Sequence, residues 1–197
     1  MVWIIILVVV AIIVIYLIAA YNGLIRGRNQ IENAWSQIDV QLKRRIDLIP
    51  NLVETVKAYA EHEKSTLEAV INARNAAIQA PATPHGQAQA DQAMTGALRQ
   101  LFALGEAYPD LKANQNFLAL QEELTATEGR IAYARQFYND SVFKYNTKIQ
   151  TFPAVLIAGM FRFTAREYFE AEDEARGPVQ VSFGNDAPPA PPAAAPP

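Results

Sequence analysis

FLALQEELTATEGRIAYARQFYNDSVFKYNTKIQTF, Phe117 to Phe152, sets Phe117, Leu124, Ile131, Tyr138, Tyr145 and Phe152 at a strict interval of seven residues, with Leu120, Ala134, Val142 and Ile149 between them. A seven-residue apolar repeat puts one stripe on one side of an α-helix, which must bury against neighbouring helices. The stretch therefore predicts a long bundle helix.

Upstream, apolar residues recur at helical spacing from Leu24 to about Ala80, through Ile31, Trp35, Ile38, Leu42, Ile49, Leu52, Val53, Val56, Ala60, Leu67, Val70 and Ile71. One long helix is expected, kinked at Pro50, whose ring crowds the carbonyl of Ile46 and cannot donate to it. APATPHGQAQA, Ala80 to Ala90, reads as a loop, with Asp91 capping a following helix that carries Met94, Leu98, Leu101 and Leu104 and ends near Gly105. Pro109 marks the turn into the seam helix and Pro153 ends it, leaving Val155 to Phe169 as a last, aromatic-rich helix. The acidic run Glu170 to Glu174 is poorly placed at a helix C-terminus and should fray. The terminal APPAPPAAAPP cannot build a core and is expected to be disordered or polyproline-like.

At the other end, Val2 to Ala20 is an unbroken apolar run, VWIIILVVVAIIVIYLIAA. As a helix it covers about 28 Å, close to the ~30 Å hydrocarbon layer of a bilayer. A secretory signal would need a basic leader, a shorter core and a small-x-small cleavage site, whereas Ile18 precedes Ala19 and Ala20. Arg26 and Arg28 follow the run directly and no Lys or Arg precedes it, so the bundle is expected in the cytoplasm and the N-terminus outside the inner membrane. Only Gly23 and Gly27 interrupt the junction, so the anchor is expected to be the first half of one long helix. The organisation expected is an all-α chain: an anchor over 1–22, an antiparallel, four-helix-type bundle over 23–176 and a Pro/Ala-rich tail over 177–197.

Composition and motifs narrow the chemistry. A net charge of −3 speaks against a general nucleic-acid binder, which needs clustered cations. The absence of cysteine removes disulfides and thiolate chemistry. A carboxylate-bridged metal site in a bundle needs Glu-x-x-His pairs, but Tyr59 and Ala82 stand three residues before the two histidines, His62 and His85. No phosphate-binding loop, nucleophile elbow, dinucleotide turn or zinc-protease motif occurs. No enzyme activity, metal, cofactor or small-molecule substrate is expected.

The most informative segment is RRIDLIPNLVETVKAYAEHE, Arg44 to Glu63, which mixes charge into an apolar stripe. Arg45 falls among Ile38, Leu42, Ile49 and Leu52, so its guanidinium either snorkels to water or meets a buried carboxylate. Glu128, between Leu124 and Ile131, is the natural partner. Asp47 reads as a cap for the helix restarting after Pro50. Asn51, Asn139 and Asn146 suit local or interhelical hydrogen bonding.

YNGLIRGRNQIENAWSQIDVQLKRRIDLIPNLVETVKAYAEHE, Tyr21 to Glu63, and YPDLKANQNFLALQEELTATEGRIAYARQFYNDSVFKYNTKIQTFP, Tyr108 to Pro153, resemble the LemA family of bacterial membrane proteins. The resemblance implies a single-pass protein with a cytoplasmic helical bundle, no established reaction, and one branch akin to magnetosome membrane proteins. It carries over Arg44, Arg45, Asp47, Pro50, Asn51, Glu128, Arg135, Tyr138, Asn139, Tyr145 and Asn146 as a structural motif and no catalytic residue. Gly129 departs from it, standing where a larger polar residue is usual. The expected role is a scaffold or accessory protein that self-associates or organises other membrane proteins, its partners being the lipid bilayer, further copies of the chain and other membrane proteins. The alternative is a sensor or adaptor working through the Pro50 kink.

Overall fold

The computed structural model describes residues 1–170, and the proline-rich tail and most of the acidic run lie outside them. Six helices follow in order: α1 (Val2–Lys57), α2 (Lys64–Gln79), α3 (Pro84–Ala107), α4 (Pro109–Lys112), α5 (Gln115–Gln150) and α6 (Ala154–Met160). The described residues contain no strand. Helix α1 passes without a break from the apolar run into the bundle. Its most apolar window, with mean hydropathy 3.4, is wholly unburied, and the first side chains to enter the core are Ala20 and Leu24.

Helices α1 and α5 run antiparallel along each other. Gln30 donates to Ser141, Trp35 packs on Tyr138, and Arg45 reaches Glu128, so residue numbers on α1 rise as those on α5 fall. Gly27 lies in this contact: a Cβ there would stand 3.1 Å from the Tyr145 ring. The glycine serves close approach rather than bending.

The buried side chains form two cores. One joins Leu24, Ile31, Ile38 and Leu42 of α1 to Ile131, Tyr138, Val142 and Tyr145 of α5 and to Ile157 of α6. The other joins Ile49, Leu52 and Val56 to the α2–α3 hairpin, Leu111, Phe117 and Leu124. The seven-residue seam of α5 is buried from Phe117 to Tyr145 and stops there, because Phe152 lies beyond the helix and is exposed.

Five expectations need correction. The first long helix ends at Lys57, where Ala58 to Glu63 turn the chain back into α2. No Pro or Gly marks that turn, which is held by contacts distant in sequence: Tyr108 Oη donates to Glu63 at 3.0 Å and Asn114 to Tyr59 Oη at 2.9 Å. Most of Ala80 to Ala90 is helical. Thr83 caps α3 by accepting from Gly86 N, and Pro84 occupies the first helical position, where its missing N–H costs nothing. Asp91 is accordingly inside α3, not at its cap. The last helix is only seven residues long, and Phe163 to Glu170 have no regular secondary structure.

Pro50 sits within α1, which continues to Lys57, so Asp47 is an exposed mid-helix residue and caps nothing. The carbonyl that Pro50 leaves without its usual donor, that of Ile46, accepts from Arg74 Nε of α2 at 3.2 Å. The proline thereby docks the second helix. Arg74→Met is expected to cost about 1 kcal/mol in the native sequence and much less in a Pro50→Ala background, where the helix supplies its own donor. A denaturation double-mutant cycle measures the difference. Gly129 is exposed on α5, with nothing within 4 Å of where a Cβ would stand. Gly129→Ala should raise stability by about 0.5–1 kcal/mol in the same assay.

Candidate functional site: a buried ion cluster and a docked strap

Arg45, Asp91 and Glu128 each interrupt an apolar stripe at the level where the two cores meet: between Leu42 and Ile49, between Ala88 and Met94, and between Leu124 and Ile131. Arg45 is only 3 % exposed. Its Nη1 donates to Asp91 Oδ1 at 2.7 Å, and its Nη2 meets Glu128 Oε2 at 2.6 Å and Thr95 Oγ1 at 3.0 Å. Asp91 is equally buried, whereas Glu128 is about half exposed. The guanidinium does not snorkel. One cation fixes three helices in register, and its charge is neutralised by carboxylates from two of them.

Burial pushes the Asp91 carboxyl above its ordinary range. The Arg45 guanidinium opposes that rise, Glu128 adds to it, and Arg135 opposes it more weakly from 3.8 Å. Arg44, next to Arg45 in sequence, pairs with Glu123 at 2.6 Å on the surface, where such a bridge contributes little.

Arg135 links this cluster to a second arrangement. Its guanidinium also lies over the Phe169 ring, 5.1 Å from the centroid, and Trp35 approaches the same ring. Phe169 is fully buried, although it belongs to the segment without regular structure. What holds that segment is a pair of asparagines. Asn146 donates through Nδ2 to the carbonyl of Arg166 and accepts its N–H, both at 2.9 Å. Asn139 does the same for Phe169, at 3.2 and 2.8 Å. Tyr138 Oη donates to the carbonyl of Glu167 at 3.0 Å.

The spacing explains itself. Seven residues of helix advance about 10.5 Å, and three residues of extended chain advance about 10 Å. Two asparagines one heptad apart therefore match every third peptide of an extended strap. An amide side chain carries both a donor and an acceptor, so each satisfies one whole backbone residue that would otherwise be stranded against the helix.

Of the motif residues, Arg45, Glu128 and Arg135 thus meet at the cluster, and Tyr138, Asn139 and Asn146 hold the strap. Tyr145 is buried against Gly27. Arg44, Asp47, Pro50 and Asn51 lie elsewhere along α1, Asn51 with its carbonyl accepting from Thr55 Oγ1. Asp91 escaped the sequence reading because the prolines before it suggested a loop, yet it falls three residues before Met94 and seven before Leu98. A charged residue in register with an apolar stripe was the available signal. Among the described residues no group of three or more His, Cys, Asp or Glu is placed to hold a metal ion.

Residues 34–183 match the LemA family. The chain belongs to that family. The LemA-family relatives include Protein LemA of Metamycoplasma hominis, 29 % identical over 165 residues, covering 82 % of this chain and 74 % of that protein. Magnetosome protein MamQ 2 of Paramagnetospirillum magneticum and Magnetosome protein MamQ of Magnetospirillum gryphiswaldense are each 26 % identical over 188 residues, covering 83 % of this chain and 69 % of theirs. LemA-family membership and the apolar half of α1 together make this a membrane-associated helical protein.

Proposed function

We propose that this protein is a membrane-anchored scaffold or accessory protein without catalytic activity, which self-associates or organises other membrane proteins. The observation that carries this reading is a groove of about 520 Å³ between α1 and α5, lined by Val40, Gln37, Ala126, Gly129 and Tyr133. Ala126 and Gly129 keep its floor low, while Val40 and Tyr133 are large apolar or aromatic groups exposed beside it. Such a surface suits a helix from another chain. The magnetosome naming of two relatives accords with organisation at a membrane, though it belongs to those proteins.

The basic residues Arg26 and Arg28 just after the apolar run support a bundle on the cytoplasmic side of the bacterial inner membrane, with the N-terminus outside. A sensor working through Pro50 is the weaker reading, because the Arg74 contact at Ile46 favours a fixed joint. Single cysteines at Val40 or Tyr133 should form disulfide-linked dimers when isolated native membranes are treated with a mild thiol oxidant, since the chain has no cysteine of its own. A detergent-solubilised chain that is monomeric at every concentration and yields no membrane crosslinks at either position would rule self-association out.

A further inference from the structure

The ten residues from Phe152 to Phe161, FPAVLIAGMF, contain no polar side chain. Ala154, Ile157 and Ala158 turn into the bundle, as the i, i+3, i+4 pattern requires. The opposite face is also apolar and stands open: Phe152 is 81 % exposed, Leu156 63 %, Met160 73 % and Phe161 54 %. A short element that is hydrophobic all round belongs in a protein interior or in lipid.

Its place in the fold favours lipid. The Phe161 ring is 4.8 Å and the Phe163 ring 5.8 Å from that of Tyr21, the residue that directly follows the apolar run of α1. The open face of α6 is therefore continuous with the base of the membrane segment. Charge agrees. No Asp or Glu occurs from Met1 to Ile31 or from Ser141 to Arg166, the stretches that the antiparallel register brings to this end, whereas Arg26, Arg28, Lys144, Lys148, Arg162 and Arg166 all fall within them. The acids that border these stretches are Glu32, Asp140 and Glu167, and Glu32 is shared by Arg28 and Arg166.

The turn after α6 adds an independent observation. Phe163 N donates to Ala158 O at 2.9 Å and Arg162 N to Gly159 O at 3.3 Å, the paired bonds of a helix end that normally places glycine in the left-handed region. Here that residue is Arg162, at φ 57°, and it is exposed. An arginine held in a conformation that glycine adopts more readily points to a use for its charge.

We propose that α6 with its flanking aromatics is a second membrane contact, an interfacial wedge seated in the anionic headgroup layer beside the base of α1. The wedge rests on the reading of α1 as a membrane segment. It fixes the bundle against the bilayer surface, so that α1 is not a free pivot. Two points of attachment set the tilt of the bundle, as one helix alone does not.

Depth-dependent quenching in vesicles of phosphatidylglycerol and phosphatidylcholine tests this on the full chain, with an environment-sensitive fluorophore on single cysteines. Leu156→Cys and Met160→Cys are expected to be quenched at least twofold by lipids spin-labelled near the headgroup. Val10→Cys should be quenched by lipids labelled deep in the chain, and Tyr133→Cys by neither. If Val10→Cys is quenched while positions 156 and 160 behave like position 133, the wedge is refuted and the membrane segment stands. A blue-shifted but unquenched probe at 156 and 160 would mean that protein covers the face, which also refutes it. Quenching absent at Val10→Cys would overturn the membrane reading itself. Arg162→Gly, which the backbone accepts, should weaken quenching at Met160→Cys in anionic vesicles, and unchanged quenching would remove the role assigned to that charge.

Discussion

Replacing Arg45 with methionine should lower the unfolding free energy at neutral pH by about 3–5 kcal/mol, among the largest single-residue effects expected in this chain. Methionine fills much of the same volume, so the loss comes from charge: Asp91 stays buried with its main cation gone, and Glu128, half exposed, can turn to water. The pH dependence separates this from simple loss of packing. In the native protein the Asp91 carboxyl is already raised by burial, so its contribution to stability is full below the unfolded value of 3.8 and is lost as pH rises through the folded value. Without Arg45 the folded value moves further up. The deficit of Arg45→Met should therefore shrink as the pH falls toward 3.8 and widen as it rises. Adding Asp91→Leu should recover most of the stability at neutral pH, since no buried charge is then left unpaired. Urea denaturation of the detergent-solubilised chain, followed by far-ultraviolet circular dichroism, reads all three. A pH-independent deficit would show that Arg45 acts by packing alone.

The second large effect concerns the strap. Asn139→Ala with Asn146→Ala removes four hydrogen bonds to backbone groups and should cost about 2–4 kcal/mol. Phe169→Ala should cost a similar about 3–5 kcal/mol, because a fully buried ring between Trp35 and Arg135 leaves a cavity. The two changes differ in what they release. Hydrogen exchange should speed up at the amides of both Arg166 and Phe169 in the double asparagine variant, while α1 and α5 keep their protection. Uniform acceleration throughout the bundle would mean that the strap is part of one cooperative unit and not a separately docked segment.

The contrast between these two features explains what the sequence made legible. Both long helices could be read from periodicity, because burial of one stripe is a local pattern repeated over many turns. The Arg45–Glu128 proximity was equally readable, since each charge stands in a stripe at a matching height on antiparallel helices. The strap was hidden. Phe161, Phe163 and Phe169 look like helix-core residues, but their segment satisfies its backbone through Asn139 and Asn146, 20 residues away for Arg166 and 30 for Phe169. No local propensity encodes such a contact. The turn after Lys57 failed to register for the same reason, being held by Tyr108 and Asn114 rather than by Pro or Gly. Asp91 was misplaced by treating Pro84 as a breaker when it opens a helix.

A shared principle connects these elements to function. The scaffold role proposed above calls for stiff joints, and α1 is braced at the two positions where breaks would be expected. Gly27 is packed on Tyr145, and Pro50 has its orphaned partner carbonyl held by Arg74. The bundle is then a rigid extension of the membrane segment.

Continuity of α1 is the central claim, and electron–electron distance measurement on spin labels at Val10→Cys and Val40→Cys in lipid nanodiscs tests it most directly. Both positions are exposed and the chain supplies no competing cysteine. Thirty residues of unbroken helix correspond to about 45 Å, and a single narrow distribution at that distance is expected. A broad distribution, or one centred well below it, would show a hinge between anchor and bundle and contradict the account.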